Sequence, residues 1–157
     1  MAFGNIQKIV AYLAERLTER LAGTELERWQ VRGEVAAQLS PVFESSDEVP
    51  RVVLQAGAGS YAISGSRHRC MKFECESVVA VVPEGAGLQA DAMMSALDVL
   101  SEALVSVMAE WDGAELVDPE DGVAAAYCVA ASAGVAETST EGTFFIFRQP
   151  FVLVIQF

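Results

Sequence analysis

The stretch Ser66-Arg67-His68-Arg69-Cys70 gathers more chemistry-bearing residue types than any other part of the sequence. A cysteine beside a histidine can act as a nucleophile, and neighbouring arginines lower a thiol's pKa. On a strand, however, His68 and Cys70 share a face only at a spacing of about 7 Å. A basic strand entrance, with Arg67 and Arg69 facing water or the acidic groups of a partner, is the better reading. A second candidate is VVLQAGAGSYA, in which Gly57, Gly59 and Ala62 satisfy the G-x-G-x-x-A pattern after a strand. That pattern binds a dinucleotide only where a helix begins at the glycines and presents its N-terminus to the pyrophosphate. Ile63-Ser64-Gly65-Ser66 is poor helix, so a flexible hairpin loop is expected. The carboxylates Asp112, Glu115, Asp118, Glu120 and Asp121 crowd one segment but lack the ligand rhythm of a calcium loop. A solvated acidic loop accounts for them, and Met93, Met94 and Met108 read as core filler. No catalytic, cofactor-binding or metal-ligating residue is assigned, and no cofactor is expected.

Composition narrows the field further. The chain has 157 residues, 52% of them apolar and 20% charged, enough for one domain over 1–157 with a real core. The net charge of −12 should repel nucleic-acid phosphates. Any self-association must overcome that repulsion with apolar contact. Three cysteines give no disulfide framework, and with one histidine a zinc site is not expected. Reduced thiols in a cytoplasmic setting follow. The first residues lack the basic start of a secretory signal, and no apolar run reaches the roughly 20 residues that span a bilayer.

The elements that must position these residues follow from periodicity. Asn5 can cap a first helix, in which Ile6, Ile9, Val10, Leu13, Leu17 and Leu21 fall on one side and Gly23 is the stop. Residues 24–48 hold either a short strand around Trp29 and Val31 or a broken helix, then a loop. RVVLQAG reads as a strand. Met71, Phe73 and Cys75 alternate with Lys72, Glu74 and Glu76 on another, and the two form a hairpin. A second helix spans about 89–111, with Met93, Leu97, Leu100, Leu104, Val107, Met108 and Trp111 inward. VAAAYCVAASAGV is a strand, ETSTEG a polar hairpin turn, and a last strand begins at Thr143. This order predicts an α+β fold, a mainly antiparallel sheet of four to five strands with two amphipathic helices on one face.

The segment TFFIFRQPFVLVIQF, residues 143–157, poses the main question, since it holds five of the eight phenylalanines. Phe145, Phe147, Phe151, Leu153, Ile155 and Phe157 form one face, while Phe144, Ile146, Val152 and Val154 make the other apolar too. A strand of this kind needs cover on both sides. The helices provide one. Pro150 cannot donate to a ladder and points to an edge or a bulge, and an exposed apolar edge requires a partner. A neighbouring copy of the same chain is the economical second cover. The alternative is a central strand backed by residues 24–48.

The N-terminal amphipathic helix, the VPRVVLQAG strand after a loop, the long hairpin strand, the second helix and the aromatic closing strand together resemble the tail terminator and tail-completion (head–tail joining) proteins of long-tailed bacteriophages. The length of 24–48 departs from the compact members. The resemblance implies a non-enzymatic, structural subunit of a phage or prophage virion, assembled in the bacterial cytoplasm as a homo-oligomeric hexameric ring. Its partners would be further copies of itself, the tail tube protein and the head connector proteins, with DNA passing through without specific binding and no membrane contact. Phe145, Phe147, Phe151, Leu153, Ile155 and Phe157, with Arg67 and Arg69, are the expected subunit contacts. Two other classes fit the residues: another virion joining or tube protein, and a small intracellular enzyme or ligand-binding α+β domain with a pocket between helices and sheet.

Overall fold

A computed structural model describes residues 2–35, 51–62, 70–81, 90–110, 115–117, 124–141 and 144–156. Helix α1 (Ala2–Leu21) leads to strands β1 (Gln30–Val35), β2 (Arg51–Ala62) and β3 (Cys70–Val81), then helix α2 (Ala90–Glu110). Strands β4 (Glu115–Val117), β5 (Ala124–Ala133), β6 (Glu137–Glu141) and β7 (Phe144–Gln156) follow. The apolar stripe of α1 is Ile6, Ile9, Val10, Leu13, Leu17 and Leu21, all buried as the 3.6-residue spacing requires. The helix begins at Ala2, so Asn5 lies inside it and is not its cap. Its end is the expected one: Gly23 takes φ +78°, the left-handed conformation that glycine adopts without a Cβ clash. Thr24 Oγ1 donates to the Leu21 carbonyl at 2.5 Å and accepts from Leu26 N–H at 3.2 Å, turning the chain toward β1.

The strands form one sheet in the order β1-β2-β3-β7-β5-β4, with β6 also paired to β7. Seven strands replace the expected four to five. The strands beyond those expected are short or polar: β4 has three residues, and ETSTE is β6 and not a turn. All described pairings are antiparallel except β1 with β2, which is parallel with Gln30 opposite Arg51. Both helices lie on one sheet face. Val52, Leu54, Phe73, Cys75, Val79, Phe147, Phe151, Leu153 and Ile155 meet the helices in one core.

β7 is central, with β3 on one side and β5 then β6 on the other. The central position is that of the second reading of the terminal segment; of the residues expected to back it, 36–48 lie outside the described residues. Pro150 sits where β7 passes from one partner to the next: β5 pairs with Phe151 onward and β6 with residues up to Arg148. The Pro150 carbonyl accepts from Gly134 N–H at 2.8 Å. Since the N–H and C=O of one strand residue point to the same side, its missing donor faces the irregular span 134–136, where no ladder bond is lost. Gln149 Nε2 donates to the Gly134 carbonyl at 3.1 Å, fixing the crossing. A Cβ on Gly134 would lie 2.9 Å from Pro150 Cγ, so glycine is needed for this close approach.

Candidate functional site

The structure separates the residues singled out for chemistry. Gly57 and Gly59 lie inside β2, which runs on through Ala62, so no helix starts at them. Their role is steric. A Cβ on Gly59 would approach Phe73 Cε1 to 2.6 Å and Met71 Cε to 2.7 Å, and the β2–β3 register shifts between Ala56 and Gly59. The Cys75 thiol is buried on the helix-facing side, with Phe151 opposite it and the Phe73 carbonyl 3.6 Å from its Sγ. His68, Arg67 and Arg69 lie outside the described residues, as do Asp112, Asp118, Glu120 and Asp121. Among the described residues no group of three or more His, Cys, Asp or Glu side chains is placed to hold a metal ion. No described helix is long and apolar enough to cross a membrane.

The expected subunit contacts divide. Phe147, Phe151, Leu153 and Ile155 are buried under the chain's own helices, which gives them no surface to offer a neighbour. Phe145 is half-buried against the same core. Phe157 lies outside the described residues. This is the one face of β7 for which the helices were expected to provide cover, and α1 and α2 do so. On the opposite face of β7, Ile146 is buried and Val152 and Val154 are half-buried.

That second sheet face carries charge pairs interleaved with aliphatic side chains. Arg148 donates to Glu76 at 2.9 Å across β7 and β3. Gln55 Nε2 donates to Glu34 at 3.3 Å across β2 and β1, and Arg32 pairs with the same Glu34 at 2.6 Å. Lys72 and Glu74 are 3.8 Å apart along β3. Val53 and Val78 are buried among these groups. Paired charges hold the long side chains in place over the aliphatic ones and leave a flat polar surface.

The second feature is an edge. β1 pairs only with β2 among the described residues, so its other side presents unpaired N–H and C=O groups. Alongside it, between α1 and β1, runs an open groove of about 530 Å³ lined by Ala11, Ala14, Glu15, Thr18, Glu19, Val31, Arg32 and Gly33. Small side chains make this groove. α1 sits so close to β1 that a Cβ on Gly33 would come within 2.7 Å of the Val10 carbonyl oxygen. β6 is likewise paired only with β7 among the described residues, and Glu137, Thr138, Ser139 and Thr140 are exposed. Just before it stands Val135, at 85% the most exposed of the large apolar side chains described. The sequence leaves β1 open between a short strand and a broken helix, since Gly33 interrupts its alternation, and it misses β6, which has no apolar alternation. Only the serine- and threonine-rich composition of β6 hinted at extended backbone.

No protein-family model matches the chain, and no curated protein matches it. Among solved structures, the chain is similar to one from the virion of a native gene transfer agent (GTA) particle at 12% identity and a TM-score of 0.49, covering 99% of this chain and 98% of that one. A second solved chain is 17% identical with a TM-score of 0.45, covering 95% of this chain and 92% of that one. Likenesses of this degree assign no role to the chain.

Proposed function

We propose that this protein is a structural subunit of a tailed-phage or prophage virion, one copy of a six-membered ring that caps the tail tube and joins it to the head connector. The observation that carries this reading is the build of the sheet. Its helix side is closed by a packed core, while its outer strands β1, β4 and β6 each pair on one side only among the described residues. Such a subunit is made to be tiled. The order of elements resembles tail terminators, and the net charge of −12 suits a channel through which DNA slides without sticking. Catalysis is no part of the proposal.

The ligand-binding alternative needs a cavity between helices and sheet. Leu97, Leu100 and Leu104 of α2 fill that space against Phe151, Leu153 and Ile155, all of them buried. Two measurements test the ring. Light scattering on the purified protein should give six times the 16.8 kDa subunit mass. Added to growing tail tubes, the protein should stop their extension, as seen by electron microscopy. A stable monomer that leaves tube length unchanged would refute the reading.

A further inference from the structure

Resting on the ring reading, we infer that neighbouring copies join edge to edge, β1 of one subunit pairing with β6 of the next so that the sheet continues from copy to copy. Three observations converge on this pairing.

The first is strand direction. β1 is parallel to β2, β2 antiparallel to β3, β3 to β7, and β7 to β6. β1 and β6 therefore run in opposite senses. A rotation about an axis along the strands preserves those senses, so the new pair is antiparallel, the more stable ladder per residue. β1 has six residues and β6 five, so the two edges match in length.

The second is charge. Of the ten basic residues nine lie at or before Lys72, against eight acidic ones; beyond it stand one basic and fourteen acidic residues. Among the described residues the two ends of the sheet differ in the same sense. α1, β1 and β2 form one side; α2, β4, β5 and β6 form the other, with no lysine or arginine in any of those four elements. Two acidic sides repel, which disfavours a symmetric dimer through that side. Acidic side against near-neutral side is the favourable contact, and it is head-to-tail, the kind that closes into rings. On the β1 edge Arg32 is half-exposed, at 49%, while bridging Glu34. A guanidinium has five donors and accommodates a second carboxylate, here from Glu137 or Glu141 of the neighbouring β6.

The third is shape. The groove beside β1 has a floor of Ala11, Ala14, Val31 and Gly33, with Thr18, Arg32 and the carboxylates Glu15 and Glu19 also lining it. On β6, Thr138 and Thr140 stand opposite Phe147 and Phe145 and so lie on the helix side of the sheet. A β6 strand added to β1 brings those two threonines over the groove, with their methyl groups against the alanines.

The test is a charge exchange between the two edges, in full-length protein. Arg32→Glu alters the β1 edge; Glu137→Arg with Glu141→Arg alters the β6 edge, where position 137 also stands opposite Arg148 of β7 in the same subunit. Each variant opposes like charges in every contact with itself, and each should lose association on the order of 100-fold and run as a monomer. Mixed in equal amounts, every contact regains opposite charges, and an alternating ring should form with the mass of the parent ring. Melting within a few degrees of the parent, followed by circular dichroism, checks that each variant is folded. If the parent is a ring and the variants remain rings, the edge pairing is wrong while the ring stands. Monomeric variants that fail to combine also overturn the pairing, because the two edges then do not meet each other. A monomeric parent overturns the ring itself.

Discussion

Leu153 and Val154 are chain neighbours on the central strand, and truncating each to alanine should give very different results. Leu153 is fully buried, opposite Phe73 on β3 and Ala131 on β5, beneath the helices. Leu153→Ala removes about three carbon groups at roughly 0.8 kcal/mol each, near 2.4 kcal/mol of transfer energy. The cavity left between two paired strands and two helices raises the total toward the upper part of the roughly 2–5 kcal/mol range for such changes. Val154 lies on the opposite face, half-buried, opposite Lys72 and Ala130. Water and long side chains can fill its place, so Val154→Ala should cost about 1 kcal/mol or less. In a chain of this size each kcal/mol corresponds to roughly 2–4 °C, so Leu153→Ala should lower Tm by about 6–16 °C and Val154→Ala by less than about 4 °C. Thermal unfolding followed by far-UV circular dichroism at a fixed protein concentration reads both. Equal losses would refute the one-sided core, because they would require a packed layer on both faces of β7.

Three further outcomes follow from particular contacts. Gly33→Ala forces a Cβ to within 2.7 Å of the Val10 carbonyl oxygen, backbone that cannot rotate away, so α1 must shift and stability should fall by roughly 1–3 kcal/mol in urea unfolding. Ser77 is buried on the helix side opposite Gln149, and its hydroxyl has no hydrogen-bond partner among the described residues, so Ser77→Ala should be neutral or stabilising by up to about 1 kcal/mol; a clear loss would show that the hydroxyl is in fact bonded. Glu110 on α2 accepts from Arg16 at 3.1 Å and from Arg20 on α1, with all three side chains well exposed. Glu110→Gln should therefore cost less than about 1 kcal/mol, and the difference from the parent should vanish in 1 M salt, where the Debye length is about 3 Å.

The helices were legible because their signal is one-dimensional. Ile6 through Leu21 and Met93 through Met108 repeat at helical spacing, and each stripe is buried against the sheet. Strand β3 was legible in its first half for the same reason, Phe73 and Cys75 being buried while Glu74 is exposed. β6 was not, and β1 only as one of two alternatives around Trp29 and Val31, because an edge strand is stabilised by backbone pairing on one side and needs no apolar period. Thr138, Ser139 and Thr140 carry no pattern that distinguishes a strand from a turn. The parallel pairing of β1 with β2 was equally hidden, since strand direction is set by the path between them and not by either sequence.

The terminal strand shows where a correct local rule reached too far. Its two apolar faces were read as requiring two covers, and Pro150 as pointing to an edge or a bulge. Both rules hold locally. The helix face is covered by α1 and α2, and Pro150 turns its donorless nitrogen toward the one stretch of neighbouring chain, 134–136, that is not a strand. A sheet can contain an edge in its middle wherever one partner strand ends and another begins. The interruption at Gly134–Ala136 is such a place, and it is also what sets β6 apart from β5 and leaves Val135 and the exposed side of β6 facing outward. The same proline that suggested an exposed edge on β7 thus marks the junction beside which the open edge of β6 begins. The surface available to a neighbour is therefore not the phenylalanine face of the last strand but the polar strand hydrogen-bonded to it.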